Sequence, residues 1–374
     1  GKTTTVSLLR HLLDDASAPC ASIGTLGILR GSTGQVMPGG GGLTTPGVVE
    51  LQRVLAALVD QGIRRVAMEV SSHSLDQRRV DGVTFQAAVF TNVTRDHLDY
   101  HGTMDAYVAA KARLLDYLAP EGVVVVNADD PSWDVLPPRG RRVTFGLATA
   151  ADVSATDVRW SPEGSEWTLV AGGHRARASL PLIGEFNVAN ALAAAATAWV
   201  LGHPVAHVAD RLATTPQVPG RLERLAERPA VLRDYAHTPD ALGRALDAVR
   251  PFVKGALVVL FGCGGDRDRG KRPVMGAIAE AKADRVILTS DNPRPEDPER
   301  ILAEIEAGMR GTHHERIEDR RAAIARALAT AAPDDLVLLA GKGHETYQVR
   351  GTTAFPFDER DIVRELLGSP VARA

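Results

Sequence analysis

The sequence predicts an α/β protein with two domains. Short runs rich in valine, leucine and alanine alternate with helical patterns through most of the 374 residues, and this alternation is typical of sheets whose strands are joined by helices. The length exceeds what a single hydrophobic core usually supports. The run TTPQVPGRLERL at 214–225 breaks the preceding helical pattern with two prolines and a glycine, as a domain connection does. We therefore predict domains at 1–215 and 216–374.

The first domain is predicted to contain a mainly parallel sheet. The chain opens on GKTTTVSLLR, which has the pattern of a helix start, and strands are predicted at 64–70, 87–93 and 122–128. Each of these strands runs into a polar loop. The shorter segments between 140 and 182 predict a small antiparallel insertion. A helix is predicted at 187–202.

The second domain is predicted to be Rossmann-like, because it contains four βα units. Its strands are AVLRDYA, ALVVLFG, DRVILTS and DLVLLAG, and the helices between and after them lie near 238–250, 273–283, 298–309 and 319–331. Ligands of open parallel sheets bind outside the carboxyl ends of the strands. Here those ends carry HTPD, CGGDRDRGKR, DNPRPED and KGHETY, so we expect the polar chemistry of this domain at one edge.

The composition excludes several classes of function. The net charge is −3, from 43 basic and 46 acidic residues, so there is no polycationic signature for nucleic acid. Cys20 and Cys263 lie far apart, which predicts neither a disulfide framework nor a zinc cluster and suits a reducing cytoplasm. The most apolar run, NVANALAAAATAWVLG, is too short to span a bilayer, so we predict that it forms a buried helix. We expect a cytoplasmic protein without a membrane or nucleic-acid partner.

The first residues resemble the second half of a phosphate-binding loop. Such a loop supplies backbone N–H groups, a lysine for the β- and γ-phosphates and a hydroxyl for Mg²⁺. Lys2 and Thr3 would fill the last two roles, and the following helix would add its dipole. An ordinary helix start remains an alternative reading, and the motif does not show what a bound phosphate is used for.

Acidic, imidazole and amine groups follow neighbouring strands. Glu69 ends one strand, and Lys111 lies on a helical stretch further along the chain. Between them, four polar residues follow the next strand: Asp96, His97, Asp99 and His101. Such groups beside a phosphate loop can hold divalent cations near a triphosphate. The alternative is that they cap turns and that Lys111 is an ordinary surface lysine.

The chain resembles the Mur ligase family over nearly all of its length. The resemblance is carried by MEVSSHSLDQRRVDG, FTNVTRDHLDYHGTMDAYVAAKARLL, NADD, GEFNVANALAA, PGRLE, DYAHTPDAL, FGCGGDRDRGKRP, DNPRPEDP and AGKGHETYQ. It implies ATP-dependent amide-bond formation through an acyl phosphate, in peptidoglycan precursor synthesis. The implied reaction adds meso-diaminopimelate to UDP-N-acetylmuramoyl-L-alanyl-D-glutamate, with ATP as co-substrate and Mg²⁺ as cofactor, in a monomer. The family's diaminopimelate-adding members carry DNPR, whereas its lysine-adding members replace the arginine.

The resemblance also implies roles for individual residues. Lys2, His97 and Lys111 are implied to be catalytic; Thr3 and Glu69 would hold one Mg²⁺, and His97 with Lys111, modified to N6-carboxylysine, would hold another. The implied ATP-binding residues are Gly1, Lys2, Thr3, Thr4, Asn187, Asn190, Arg221, Asp234, Tyr235, His237 and Lys271. The implied contacts to the muramoyl dipeptide are Thr44, Thr45, Ser71, Gln77 and Arg79. The implied diaminopimelate-binding residues are Arg267, Asp291, Asn292, Pro293, Arg294, Gly341 and Glu345.

In the interpretation that the resemblance implies, Arg294 determines which amino acid is added. Diaminopimelate has a remote carboxylate that lysine lacks, and arginine matches a carboxylate with two parallel hydrogen bonds. The alternative is a solvated arginine in a surface turn between Pro293 and Pro295.

The 374 residues depart from the family pattern at their start. The family's first strand, the first half of its phosphate loop and its N-terminal domain precede the point where this sequence begins. We expect the chain by itself to bind ATP weakly and to have little or no ligase activity. Alternative functions are a ligase of the same fold that adds L-lysine or acts on another substrate, such as folylpolyglutamate synthase, and a P-loop ATPase that performs no ligation.

Overall fold

The structure is a computed structural model that describes residues 1–40, 42–94 and 96–368. It divides into two compact units, Gly1–Pro216 and Gln217–Ala374. The assignment of ATP binding to the first of the predicted domains and of amino-acid binding to the second stays a prediction.

The first unit contains two sheets and the helices packed on them. Its elements are α1 (Lys2–Leu13), β1 (Cys20–Gly24), β2 (Gly27–Arg30), β3 (Gln35–Met37), α2 (Val48–Asp60), β4 (Arg65–Met68), α3 (Ser72–Asp76), β5 (Phe85–Phe90), α4 (Leu98–His101), α5 (Met104–Ala112), β6 (Leu118–Asn127), β7 (Arg141–Gly146), β8 (Val153–Ser161), β9 (Gly164–Ala171), β10 (His174–Leu180), α6 (Glu185–Val200) and α7 (Val205–Ala213). The four-stranded sheet has the order β3-β2-β1-β4, and the six-stranded sheet has the order β10-β9-β8-β7-β6-β5.

Parallel pairing dominates where the polar loops leave the sheets. Strand β1 pairs in parallel with β4, and β5, β6, β7 and β8 are parallel in turn. Strands β8, β9 and β10 form the antiparallel part. The predicted insertion is therefore present, but β7 was wrongly placed in it, because its Val143 lies beside Val125 of β6 and extends the buried parallel layer.

Helix α1 is held in the interior of the first unit. From Thr3 to Leu13 every residue of α1 is buried, and α1 packs against α6. Helix α6 has a run of alanines with Leu192 and Val188, and small side chains allow the close approach of neighbouring helices. The predicted helix at 187–202 is confirmed as α6, which packs against α1.

The second unit has a six-stranded sheet with the order β11-β12-β16-β13-β14-β15. Its elements are β11 (Glu223–Glu227), β12 (Ala230–Asp234), α8 (Pro239–Val249), β13 (Leu257–Phe261), α9 (Lys271–Lys282), β14 (Arg285–Leu288), α10 (Pro298–Glu306), β15 (His314–Arg316), α11 (Arg320–Thr330), β16 (Leu336–Ala340), β17 (Tyr347–Arg350), β18 (Thr353–Pro356) and α12 (Glu359–Leu366). All pairs in the sheet are parallel except β11 with β12. The four predicted βα units and the α/β class are confirmed.

Two helix starts in this unit follow a local sequence signal. Thr238 and Asp297 each accept a hydrogen bond from a backbone N–H of the first turn, and each is followed by proline. A capping oxygen and a proline at the first helical position both favour helix initiation. These caps end the loops at the carboxyl edge of the sheet at defined positions.

The apolar run predicted to be a buried helix is α6, and ten of its residues from Val188 to Ala198 are buried. In the part of the chain that the structure describes, no helix combines the length and the apolar character that crossing a membrane requires.

Candidate active site

The N-terminus of α1 lies beside the carboxylate that follows β4. Thr3 Oγ1 donates a hydrogen bond to Glu69 Oε2 at 3.0 Å, and both side chains are buried. Lys2 is exposed at the start of the helix, whereas Thr4 is buried. The structure thus brings together the hydroxyl and the carboxylate that the family resemblance implies for one metal ion.

Glu69 is held from a second side by the turn after β1. Thr25 N donates to Glu69 Oε1 at 2.9 Å, and Thr25 Oγ1 donates to Glu69 Oε2 at 3.1 Å. A side chain at Gly24 would collide with the Glu69 carboxylate. Glycine is therefore required at this position for the carboxylate to approach the backbone. Sequence reasoning missed Thr25, because GTLG has no distinctive pattern.

Replacing Thr25 by valine should lower the free energy of unfolding by about 1–2 kcal/mol, since the hydroxyl serves a buried carboxylate. Thr25→Ser keeps the oxygen and should stay close to the unaltered protein. Urea unfolding of both variants measures the difference. Loss of stability in the serine variant with none in the valine variant would show that the methyl group, and not the hydrogen bond, is what matters at this position.

Lys111 lies in a cavity next to Lys2. The cavity has a volume of about 200 Å³, and its lining includes Lys2, Thr91, Asp96, Tyr107 and Lys111. Burial of Lys111, assisted by the charge of Lys2 and opposed by Asp96, lowers the pKa of its amine to about 7. Its Nζ lies 4.4 Å from the centroid of the Tyr107 ring. An ordinary surface lysine does not have these surroundings.

His97 is placed by the loop between β5 and α4. Its backbone has a φ of 55°, a left-handed conformation that non-glycine residues rarely adopt. Its N–H donates to Asp96 Oδ1 at 2.9 Å, and its Nε2 lies 3.3 Å from Asp96 Oδ2. The ring also contacts His73 at 4.8 Å and Tyr107 at 6.0 Å between centroids. His97 and Lys111 thus flank the same two side chains, Asp96 and Tyr107.

The two asparagines of α6 lie under the start of the chain. Asn190 Oδ1 would be 2.7 Å from a Cβ placed on Gly1, so it closely approaches this glycine. Asn190 Nδ2 donates to Asn187 Oδ1 at 3.2 Å, and Asn187 Nδ2 donates to Ile183 O at 2.8 Å. Asn187 is fully buried. Contacts of these residues with ATP stay a prediction.

Four of the five residues assigned to the muramoyl dipeptide are linked by hydrogen bonds around Thr45. Thr45 Oγ1 accepts from Ser71 N at 3.2 Å, and Thr45 O accepts from Arg79 Nη1 at 3.2 Å. Arg79 Nε also donates to Gln77 Oε1 at 2.9 Å. Ser71 Oγ caps α3, so its side chain has a structural role here.

This group is joined to the Thr3–Glu69 pair. Thr45 Oγ1 donates to Glu69 O at 2.9 Å. The fifth assigned residue, Thr44, has its hydroxyl 3.1 Å from that of Thr25. The residues assigned to the metal ion and to the acceptor substrate therefore form one network within the first unit.

In the second unit, the loops after β14 and β16 bring together the polar side chains assigned to the amino acid. Asn292 Nδ2 donates to Glu345 Oε2 at 2.9 Å. Lys342 Nζ donates to Asn292 Oδ1 and to Glu345 Oε2, both at 3.1 Å, and lies 3.5 Å from Asp291 Oδ1. Gly341 has a φ of 111°, and a Cβ there would lie 3.3 Å from Asp291 Oδ2.

Arg294 is fixed by the hairpin of β17 and β18. Its N–H donates to Val349 O at 3.1 Å, its carbonyl accepts from Gly351 N at 2.9 Å, and its φ is 55°. Its Nη1 donates to Gly265 O at 3.0 Å. Pro293 O lies so close to Gly265 that a side chain there would collide with it. The guanidinium is thus directed along the loop after β13, on which Arg267 is exposed.

Another cluster in the second unit surrounds Tyr235 and contains the residues assigned to the nucleotide. The guanidinium carbon of Arg221 lies 4.9 Å from the centroid of the Tyr235 ring. Lys271 Nζ donates to His237 O at 2.7 Å, and Asp234 Oδ2 accepts from Leu222 N at 2.7 Å. The cluster therefore offers cationic and aromatic groups around one ring, with Asp234 fixing the turn beside it.

Comparisons with known proteins extend these observations. The family description "Mur ligase middle domain" matches residues 1–198, and "Mur ligase, glutamate ligase domain" matches residues 220–343. A UDP-N-acetylmuramoyl-L-alanyl-D-glutamate--2,6-diaminopimelate ligase of Synechococcus elongatus is 48% identical over 374 residues, covering 97% of this chain and 74% of the relative.

Solved structures have the same fold. The structure of a UDP-N-acetylmuramoyl-L-alanyl-D-glutamate--2,6-diaminopimelate ligase matches with a TM-score of 0.68 and 37% identity, covering 98% of this chain and 76% of the other. A MurF ligase from Thermotoga maritima in complex with ADP matches with a TM-score of 0.70 and 19% identity, covering 98% and 77%. The second likeness concerns the fold alone.

Proposed function

Because this chain belongs to the Mur ligase family, we propose that it joins meso-diaminopimelate to UDP-N-acetylmuramoyl-L-alanyl-D-glutamate with hydrolysis of ATP to ADP and phosphate. The observation that carries the choice of amino acid is Arg294, held by the β17–β18 hairpin on the same loop as Asp291 and Asn292. One guanidinium and nearby carboxylates match the remote carboxylate and the remote ammonium of diaminopimelate.

The chemistry explains why charge must be neutralised. The acceptor carboxylate attacks the γ-phosphorus of ATP, ADP leaves, and an acyl phosphate forms. The amine of the amino acid then attacks the acyl carbon, phosphate leaves, and the amine loses a proton. Two anions meet in the first step, so a cation such as the ammonium of Lys2 at the start of α1 lowers the barrier electrostatically.

The residues of the first unit fit magnesium ions. Mg²⁺ prefers oxygen ligands and takes one or two carboxylates together with substrate phosphates, and Thr3 and Glu69 supply a hydroxyl and a carboxylate 3.0 Å apart. Within residues 1–40, 42–94 and 96–368, no three His, Cys, Asp or Glu side chains form a metal site by themselves. Bound at Thr3 and Glu69, Mg²⁺ would neutralise the charge that develops on the phosphate oxygens.

Lys111 suits the modification that its role requires. An ammonium would repel a metal ion, whereas a carbamate offers anionic oxygens. Only the neutral amine attacks CO₂, giving a carbamate and one proton. A pKa of about 7 leaves much of the Lys111 amine neutral at physiological pH, which supports a carbamate that, with His97, holds the second ion.

The second unit would supply the amino-acid pocket. Arg294, with Arg267, would pair with the remote carboxylate of diaminopimelate, and Asp291, Asn292 and Glu345 would accept its remote ammonium. Pro293 and Gly341 would shape the backbone around them. A lysine substrate would leave the guanidinium of Arg294 without its carboxylate, and an unpaired charge of this kind weakens binding strongly.

The alternatives differ in what they need. A P-loop ATPase that performs no ligation needs no second amine, so release of phosphate that depends on both the acceptor and an amino acid separates the two functions. Phosphate release by the full-length protein without any added amine, at the full rate, would rule out the ligase.

We propose the cytoplasm as the location and a monomer as the active form.

A further inference from the structure

A fully buried lysine lies among the side chains proposed to bind the amino acid. None of the surface of Lys342 is exposed, and Asp291 and Asn292 are also buried. Its Nζ has three side-chain oxygens within 3.5 Å, from Asp291, Asn292 and Glu345. Burial of an ammonium is unfavourable unless it is paired, and here two carboxylates and an amide pair it.

Lys342 also fixes the orientation of Asn292. Asn292 Oδ1 accepts from Lys342 Nζ at 3.1 Å and from Val349 N at 2.9 Å. Its Nδ2 donates to Glu345 Oε2 at 2.9 Å. Both ends of the amide are therefore assigned, and the lysine supplies one of the two donors that hold the oxygen in place.

We propose that Lys342 is a positioning residue for the incoming amino acid, whose buried ammonium pairs with the carboxylates of Asp291 and Glu345 and keeps Asn292 oriented. Two carboxylates and one ammonium carry one net negative charge, and the remote ammonium of the substrate would balance it. This inference rests on the proposed function. It adds a residue that contacts the pocket's side chains and that acts on the substrate through them.

Removal of the ammonium should change the protonation of the pocket. Two carboxylates that share a buried site cannot both stay ionised without a cation, so one of them is expected to bind a proton near neutral pH. The protonated pocket keeps one net negative charge, but it offers the substrate's ammonium only one ionised carboxylate, and Asn292 Oδ1 has lost one of its two donors. Raising the pH removes that proton and should restore part of the binding.

Other titratable groups around Asp291 and Glu345 do not explain a difference between the variants in how the KM depends on pH from 6 to 9. Burial raises the pKa of Tyr235 and of Cys263 to about 12, and it also raises the pKa of Tyr347. These groups stay neutral in that range. His344 is next to Glu345 in sequence, and its ring centroid lies 5.3 Å from that of Tyr235. It is present in every variant to be compared, so its contribution to the pH dependence is common to all of them.

The test measures the KM for meso-diaminopimelate between pH 6 and 9 in the full-length protein, with phosphate release as the readout. Lys342→Met keeps the length of the side chain and removes its charge. We expect its KM at pH 7 to rise on the order of tenfold to a hundredfold, and to fall again toward pH 9. The KM for ATP should not change. Lys342→Gln repeats the test if the methionine variant does not fold.

Arg233→Met is the matched control. Arg233 is also buried and paired with two carboxylates, Glu223 and Asp358, in the same unit, so its loss reports general destabilisation. Arg233→Met should lower the unfolding temperature, but its KM for meso-diaminopimelate should not show the dependence on pH expected of Lys342→Met. A KM of the Lys342 variants equal to that of the unaltered protein at every pH would overturn the inference and leave the proposed function intact. No response of the unaltered protein to diaminopimelate would overturn both.

Discussion

Replacing Lys111 by methionine should reduce the rate of ligation on the order of 10³-fold, because the variant cannot form the carbamate that we propose to hold a metal ion beside the transferred phosphate. Lys111→Glu should keep more activity, since its carboxylate supplies anionic oxygens at a similar position. Phosphate release that requires acceptor, ATP and diaminopimelate is the measurement. Depletion of CO₂ and bicarbonate should slow the unaltered protein and leave the glutamate variant unaffected.

The control for this prediction is Lys282→Met. Lys282 forms an exposed ion pair with Asp247, and exposed pairs contribute little, so its loss should not change the rate. Full activity of Lys111→Met, or equal activity of the methionine and glutamate variants, would contradict the role assigned to the carbamate.

The shifted pKa of Lys111 also predicts a change in the free energy of unfolding of Lys111→Met. Burial lowers the pKa of the folded protein's Lys111 from 10.5 to about 7. Between these values the unfolded chain binds a proton that the folded chain does not, so the free energy of unfolding rises with pH through that window. In buffer without CO₂ and Mg²⁺, Lys111→Met should therefore be roughly 2–4 kcal/mol more stable than the unaltered protein at pH 7. The difference should shrink toward pH 10.5, and Lys282→Met should not show it.

Replacing Arg294 should reduce kcat/KM for meso-diaminopimelate about 10²-fold and leave the low rate with L-lysine nearly unchanged. Asparagine is the preferred substitute, because Arg294 has a φ of 55° and asparagine tolerates this conformation better than alanine does. Arg294→Ala should show the same loss of selectivity with an additional loss of stability. Arg294→Lys keeps the charge without the planar fork of the guanidinium. Its kcat/KM for meso-diaminopimelate should therefore lie between those of the unaltered protein and of Arg294→Asn.

Arg350→Asn is the matched control for Arg294. Arg350 lies beside Arg294 on the neighbouring strand, and its guanidinium is directed to Asp319 at 3.5 Å. Its replacement removes an arginine of the same region whose side chain pairs with Glu318 and Asp319 and donates to Gln348. Equal discrimination between diaminopimelate and lysine before and after Arg294 is replaced would remove its role in specificity.

Much of the fold could be predicted, because its signals are local. The strands that became β4, β5, β6, β12, β13, β14 and β16 are apolar runs bounded by polar loops. Helices α8 and α10 begin with a capping residue and a proline. Strands β1, β2 and β3 were not predicted, since their residues are short runs separated by glycine turns and depend on the parallel pairing of β1 with β4.

The motifs of the candidate site could be predicted from the sequence, but the residues that hold the site side chains in place could not. Glu69, Asp291 and Glu345 end apolar strands or lie in a glycine-rich motif, which a sequence shows directly. Thr25 and Lys342 have their roles only because residues distant in sequence fold next to them. The left-handed backbone of Arg294 is likewise set by hydrogen bonds from a hairpin more than fifty residues further along the chain.

The measurement that tests the account most directly is the release of phosphate by the full-length protein with ATP, Mg²⁺ and UDP-N-acetylmuramoyl-L-alanyl-D-glutamate, compared between meso-diaminopimelate and L-lysine as the amine. The account predicts release that requires the acceptor, is fast with diaminopimelate and is slower with lysine by about 10²-fold. Equal rates with the two amines would contradict the specificity that Arg294 is proposed to provide. Release that is independent of any amine would contradict the ligase itself.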